Sequence, residues 1–323
     1  MDELNLPFHQ SVIKLSQRSR NFVSNMDGPN ILYLSQTEGG FPRRGLILKE
    51  GDSVIEYPNL NHVDLVIDEE RLAKGFLQIY SHELGHVMMM NIWEHFLDRQ
   101  SPKQHVSMGI TDYPMAFFEG WGEHFQRLAY ENIPLYQNAF NNLFDYTRSI
   151  DNLWHCNVDG ELRLNSVLKN EYIYRKLLPD IDITQFSFEE LILLEHTSPI
   201  YDKIRLKNAQ QMLSCEGVIA TLFYKTNSNT ILQSNFLPKT FYNHFLLSPI
   251  PKNMKPQDIF TPFENVILKT FWVWSKMNDA TDSERVVFID FIKKWCQFFP
   301  EDREELLKLF ILTTVGKTIE NEL

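Results

Sequence analysis

The pentapeptide His82-Glu83-Leu84-Gly85-His86 constrains this chain more than any other stretch, because it sets two imidazoles four residues apart with a carboxylate beside the first. On an α-helix, four residues turn the chain by about 400°, so both imidazoles lie on one face within reach of a single metal ion. Glu83 lies about 100° from His82 and can bond a water on that ion without ligating it. This HExxH spacing predicts a zinc site, since neutral imidazole suits zinc and a catalytic zinc takes three protein ligands and one water.

The flanking sequence predicts that the pentapeptide lies on a long helix, from about residue 69 to about residue 98. Asp68 is a suitable N-cap for that helix. The two histidines and Glu83 fall within its apolar stripe, where burial of such groups costs several kcal/mol unless they are paired or bind a metal. A surface helix with ordinary hydrogen-bonded histidines is the alternative interpretation. The apolar stripe contains Leu72, Phe76, Ile79, Tyr80, Val87, Met90 and Trp93.

The third zinc ligand is expected from elsewhere in the chain. Metzincins continue HExxH with a glycine and a third histidine, but this chain has Met89 and Ile92 at the corresponding positions, which excludes that class. Glu94 is eight residues beyond His86, roughly 12 Å along a helix at about 1.5 Å per residue, and is too far away to share the ion.

A second helix is predicted after a polar segment at 100–112, with Pro114 in its first turn and Pro134 beyond its end. Glu119 and Glu123 are four residues apart on one face of this helix. Two glycines, Gly120 and Gly122, each cost about 1 kcal/mol in a helix relative to alanine, so we expect another backbone to pass close by. Gly85 on the first helix is expected to allow a similar close approach. An amphipathic helix with two solvated glutamates is the alternative.

Residues 60 to 130 resemble the gluzincin metallopeptidases, the thermolysin-like and aminopeptidase-like zincins, in which a glutamate ligand on a second helix follows HExxH. Glu119-Gly120-Trp121-Gly122 looks like the second motif of that group. The resemblance implies that Glu119 is the third zinc ligand. It also implies that Glu123 bonds a zinc-bound histidine without contacting the zinc itself. The interval from residue 86 to residue 119 is longer than is typical of the group, so no subfamily is assigned.

The resemblance implies a peptidase with one zinc ion per chain and a peptide or protein as its substrate. Glu83 would be the catalytic general base. A downstream residue that stabilises the oxyanion is also implied, and the segment Val63 to Ile67 is a candidate edge strand for binding an extended peptide. The rival hypotheses are a catalytically inactive zincin-fold binding or scaffold protein and a purely structural helical protein. Candidates for the oxyanion role are Tyr224 and His244, with Tyr242, His155 and His196 as further possibilities.

Composition narrows the class of protein. A net charge of −11 argues against a nucleic-acid-binding role, and no stretch is apolar enough to predict a membrane span. Three widely spaced cysteines form no metal knuckle or disulfide framework, and we expect them to be reduced and buried. The N-terminus has no signal-peptide pattern, which predicts a cytoplasmic location if residue 1 is the natural start, and a secreted one if a signal peptide has been removed.

The expected fold is α+β and zincin-like, with a small N-terminal sheet packed on the HExxH helix and a mainly helical C-terminal lobe. We expect an N-terminal lobe at 1–100 and a helical lobe at 101–323 that carries the third ligand. An irregular loop is predicted at 236–262. It is interpreted as a structural connection, and the alternative is a substrate-cleft wall or lid. Strands are predicted at 31–34, 45–48, 54–57 and 63–67, and helices at 8–25, 137–150, 161–177, 187–195, 205–225, 263–277, 283–298 and 302–318.

Overall fold

The computed structural model describes residues 2–24, 29–37, 39–67, 78–93, 112–132, 175–177, 201–206, 212–277 and 286–314. It is α+β in these ranges, as predicted. Predicted features at 68–77, 94–111, 133–174 and 178–200 lie outside the described residues, among them the Asp68 cap, Glu94, Cys156, His155, His196, the lobe boundary at residue 100 and the helices at 137–150 and 187–195. None of the described helices is long and apolar enough to cross a membrane.

A helix and a three-stranded sheet form the N-terminal part of the described chain. Helix α1 spans Pro7–Ser24 and is followed by strands β1 (Leu32–Ser35), β2 (Phe41–Glu50) and β3 (Ser53–Val66). The strand order is β1-β3-β2, with β1 parallel and β2 antiparallel to β3. The predicted small sheet before the HExxH helix is therefore confirmed.

The prediction of two separate strands at 54–57 and 63–67 is wrong, because β3 is continuous through Pro58. The pairing with β2 shifts register between Arg44 and Leu46, opposite this proline. Gly45 allows the bulge with a φ of +83°, and a Cβ at this position would lie 3.3 Å from the Pro58 carbonyl oxygen. A bulge accommodates a residue that has no N–H to donate, so the strand bends at Pro58 and continues.

The segment Val63 to Ile67 is not an edge strand, which corrects a further prediction. Val63 pairs with Leu32 of β1 on one side and with Pro42 of β2 on the other. The strand is therefore flanked on both sides at Val63 and Asp64, whereas Leu65 and Val66 pair with β1 alone. Within this three-stranded sheet, β1 and β2 form the edges, and β2 is the edge strand that packs against the HExxH helix.

The HExxH helix, α2, is described from Gln78 to Ile92, and the second predicted helix, α3, spans Tyr113–Asn132. Helix α2 ends at Ile92, before the predicted end near residue 98. Helix α3 begins where predicted because the Asp112 carboxylate accepts a hydrogen bond from the Met115 backbone N–H at 2.6 Å, as an N-cap does.

Two short strands contradict the helical prediction near residues 177 and 205. β4 (Arg175–Leu177) pairs antiparallel with β5 (Tyr201–Leu206). The run Lys203-Ile204-Arg205-Leu206 alternates charged and apolar residues, which is the period of a strand and not of a helix.

The remaining described chain is helical, and the predicted segments agree with it apart from their ends. The predicted loop at 236–262 is largely irregular, with one helical turn and two 3₁₀ turns. The observed helices are α4 (Glu216–Ser228), α5 (Thr230–Ser234), α6 (Lys239–Tyr242), α7 (Pro262–Trp274), α8 (Val287–Phe298) and α9 (Arg303–Thr314), and the 3₁₀ turns are Asn243–Phe245, Pro256–Asp258 and Pro300–Asp302.

One aromatic-rich core joins the HExxH helix to the C-terminal helices. The Trp121 ring of α3 lies 4.5 Å from the Trp274 ring of α7 and 5.0 Å from the Phe223 ring of α4. Cys215 is buried as predicted, whereas Cys296 is only half-buried. Other buried residues of this core are Ile219, Leu222, Phe271, Phe288, Phe291 and Trp295.

Candidate metal centre

Three predicted ligands converge between α2 and α3. The Nε2 atoms of His82 and His86 lie 2.9 Å apart, and the Glu119 Oε2 lies 3.5 Å from each of them. The helical repeat of α2 brings the two imidazoles together, and α3 supplies the carboxylate from the facing side. These are the residues, within the described ranges, that form a group able to hold a metal ion.

The spacing of the three atoms fits a zinc ion. Two ligands of a tetrahedral ion at about 2.1 Å are separated by roughly 3.4 Å. The two distances to Glu119 Oε2 have this value, and the imidazole pair needs to open by about 0.5 Å. In the absence of an ion, a proton between the two Nε2 atoms satisfies the pair, which is the alternative that the sequence left open.

The site is tightly packed around His86 and more open around His82 and Glu119. The His86 ring stacks on Phe118 with centroids 3.9 Å apart and planes inclined by 2°, and its side chain is 2% exposed. The His82 and Glu119 side chains are more open, at 14% and 13%. The site is therefore most open on the side of His82 and Glu119, while Phe118 fixes the orientation of His86.

Glu83 is buried beside the three ligands. Burial, together with the negative charge of Glu119, raises the pKa of Glu83 well above its usual value. Its Oε2 has no hydrogen-bond partner within the described residues, and the same holds for the His82 Nδ1. A buried carboxylate oxygen without a partner costs free energy, which a cation or an ordered water at this position would offset.

The glycines of α3 allow the close approach that the sequence predicted, but toward two different neighbours. A Cβ on Gly120 would lie 2.8 Å from the Ala220 backbone nitrogen and 2.8 Å from the Glu216 carbonyl oxygen, so α4 is the backbone that passes close by. A Cβ on Gly122 would instead lie 2.7 Å from the His86 Nε2 and 2.8 Å from the His82 Nε2. Gly122 therefore lets α3 contact the imidazole pair directly.

We expect the substitution Gly122→Ala to push the two imidazoles out of position. Misplaced ligands should weaken zinc binding by about 10- to 100-fold, as happens when the residues that orient metal ligands are lost. Gly120→Ala is the matched control, two residues away on the same helix. It should lower the thermal stability of the metal-free protein through its contact with α4 and leave the zinc affinity of the folded protein unchanged. Equal zinc affinities in the two variants and the wild type would contradict this assignment for Gly122.

Glu123 on α3 and Gly85 on α2, which the sequence also singles out, have different neighbours from the three converging residues. Glu123 is buried one helical turn beyond Glu119, and its bond to a ligating histidine stays a prediction. The Phe125 side chain packs against Gly85. The Gly85 carbonyl oxygen accepts a hydrogen bond from the Trp121 Nε1 at 2.9 Å. This bond ties α3 to α2 within the HExxH segment.

The candidates for the oxyanion role lie on separate elements. Tyr224 is half-buried on α4. His244 is exposed in the turn after α6, with its ring 5.1 Å from that of Trp272. The Tyr242 hydroxyl is occupied, since it donates to the Asn265 Oδ1 at 2.6 Å and accepts from the Leu237 N–H at 3.0 Å, so Tyr242 has a structural role.

Sequence reasoning missed a buried polar pair next to the site. His124 on α3 and Asn227 on α4 are joined by a hydrogen bond of 2.7 Å between the Asn227 Nδ2 and the His124 Nε2. The sequence offers no spacing signal for a pair so far apart along the chain. A histidine directly after Glu123 was the one available indication.

Comparisons of this chain with protein-family models, with curated proteins and with solved structures found no match. The geometry of the site therefore carries the functional argument.

Proposed function

We propose that this protein is a zinc-dependent peptidase with a zincin-like arrangement of its sheet and its two ligand-bearing helices. The observation that carries the proposal is the convergence of His82, His86 and Glu119, with Glu83 buried beside them. A purely structural histidine cluster needs no such neighbour, and a carboxylate buried next to Glu119 is unfavourable unless a cation lies close by.

The donor set suits zinc. Two imidazole nitrogens and one carboxylate oxygen make up a common catalytic zinc site with one position open for water. A zinc ion bound there would supply a Lewis acid and lower the pKa of its water to about 7. The greater exposure of His82 and Glu119 provides the opening through which water and substrate enter.

The roles of the protein groups follow from their positions. Glu83 would take a proton from the attacking water and pass it to the leaving amine, because it adjoins a ligand without being one. Glu123, one turn from Glu119, would orient a ligating histidine. Tyr224 and His244 remain the candidates for stabilising the oxyanion.

We propose that an extended peptide substrate adds to β2, not to the segment 63–67. β2 is an edge strand that packs against α2, so a peptide bound along it would run past the HExxH helix. The proline at position 42 is compatible with an edge position, since proline in a sheet is found at edges, at strand starts or at bulges.

Metal analysis of the purified protein tests the proposal. We expect about one zinc per chain, and we expect His86→Ala to lose it because two ligands hold zinc poorly. His244→Ala is the control, since it removes a histidine that is not a ligand and should retain the zinc. A wild type that contains no metal, and takes up none when zinc is added, would refute the site.

Cleavage of a diverse peptide mixture tests the activity separately. We expect hydrolysis by the wild type, its loss with a zinc chelator and its recovery when zinc is restored. Zinc binding without cleavage of any peptide would favour the inactive zincin-fold scaffold over the peptidase.

A further inference from the structure

The buried polar pair of His124 and Asn227 lies next to the indole that ties the two ligand-bearing helices together. His124 is 1% exposed and Asn227 is also 1% exposed, so neither faces solvent. The His124 ring centroid lies 4.4 Å from that of Trp121, whose Nε1 donates to the Gly85 carbonyl oxygen. A path of direct contacts thus runs from α4 through α3 to the HExxH segment of α2.

The hydrogen bonds along this path have a defined direction. The Trp121 carbonyl can only accept, so the His124 Nδ1 carries a proton and donates to it. The His124 Nε2 is then unprotonated and accepts from the Asn227 amide. Burial lowers the pKa of His124 to about 3, which agrees with a neutral ring that has one donor and one acceptor nitrogen. Both ring nitrogens are thus satisfied only in this tautomer and orientation.

The indole itself is enclosed on its other sides by carbon. The Phe125 ring lies 4.9 Å from the Trp121 ring, and the Trp274 ring lies 4.5 Å away. These contacts fill space but do not fix a direction. The His124 ring, held at both nitrogens, is a polar neighbour of this indole, whose Nε1 donates to the Gly85 carbonyl, one residue before His86.

We propose that His124 is a positioning residue, held by Asn227, which acts through Trp121 to keep α2 and α3 at the separation that His82, His86 and Glu119 need for a common metal ion. This inference rests on the proposed zinc site. It adds a residue of α4 to the determinants of that site, although α4 contributes none of its ligands.

Titration of the metal-free protein with Co²⁺ tests this inference, because the visible absorption spectrum of bound Co²⁺ reports the geometry of its ligands. We expect His124→Leu, which fills a similar volume without either nitrogen, to weaken Co²⁺ binding by about 10- to 100-fold and to change the spectrum. His124→Gln retains an acceptor for the Asn227 amide and should recover part of both. Trp121→Phe keeps an aromatic ring and removes the donor to Gly85, so it should also change the spectrum, and it serves if His124→Leu does not fold.

Phe288→Leu is the matched control. Phe288 belongs to the same core and packs on Phe223 and Phe291, so its truncation should lower the melting temperature and leave the Co²⁺ spectrum as in the wild type. Wild-type spectra and affinities in His124→Leu and Trp121→Phe would overturn the positioning role and leave the proposed zinc site intact. A wild type that binds no Co²⁺ would overturn both.

Discussion

Glu83→Gln is expected to keep its zinc and to lose peptide hydrolysis. The amide has nearly the shape of the carboxylate, and Glu83 is not among the three converging ligands, so the metal content should not change. The glutamine amide cannot accept the proton of the attacking water, and loss of a general base typically slows a reaction by about 10²- to 10⁴-fold. Zinc content and kcat/KM for a cleaved peptide, measured on the same preparation, check both halves of the prediction.

Glu264→Gln is the control for this substitution. Glu264 is also a buried glutamate, but it closes the capping box at the start of α7, where glutamine can take its place. Its activity should equal that of the wild type. Full turnover in Glu83→Gln would refute the general-base role, and loss of zinc together with activity would mean that Glu83 helps to hold the ion.

Lys269→Met is expected to destabilise the C-terminal helices severely. The Lys269 ammonium is 2.8 Å from the Asp302 Oδ2, and both side chains are 1% exposed. Burial lowers the pKa of Lys269, while the Asp302 charge acts in the opposite direction. Methionine would leave the Asp302 carboxylate buried with two neutral donors among the described residues, the Asn235 amide and the Trp295 indole. Breaking a buried ion pair in this way costs about 3–5 kcal/mol in the free energy of unfolding.

A second substitution separates the unpaired charge from the lost packing. Asp302→Asn added to Lys269→Met removes the buried charge and keeps an acceptor for the indole, so it should recover much of the loss. Lys308→Met is the control for an exposed pair, because Lys308 is 61% exposed and 3.7 Å from Glu305, and should change stability by about 0–1 kcal/mol. Denaturant unfolding measures all three. Equal effects of Lys269→Met and Lys308→Met would contradict a special role for the buried pair.

The sequence predicted the convergence of His82, His86 and Glu119 more completely than it predicted the sheet. The spacing of His82 and His86 follows from the geometry of one helix, and Glu119 was found because its glycine and aromatic neighbours form a local motif. The sheet depends on which strands meet, so the continuous β3 and its central place could not be read from local patterns. A proline at position 58 favours a break between two strands, because prolines usually interrupt strands, whereas a bulge at Gly45 accommodates it.

Residues that act across long separations were beyond sequence reasoning. His124 meets Asn227, and Lys269 meets Asp302, only after the helices have packed, and neither pair has a spacing that indicates a contact. The glycines of α3 were predicted in part from the sequence. Their cost in a helix predicted a close neighbour, but only the structure distinguishes the backbone facing Gly120 from the imidazoles facing Gly122.

The hairpin of β2 and β3 has a consequence for the solubility of the protein. Beyond the bulge, Ile47, Leu48, Val54 and Ile55 are exposed, and neighbours along each strand point to opposite faces, so the hairpin presents apolar side chains on both faces. Such a strand at a sheet edge is a template for pairing with another chain. Charged residues surround the apolar run, with two arginines before it and Lys49 and Glu50 after it. Flanking charges of this kind act as gatekeepers, because they disfavour the pairing of such an edge with another copy of the chain.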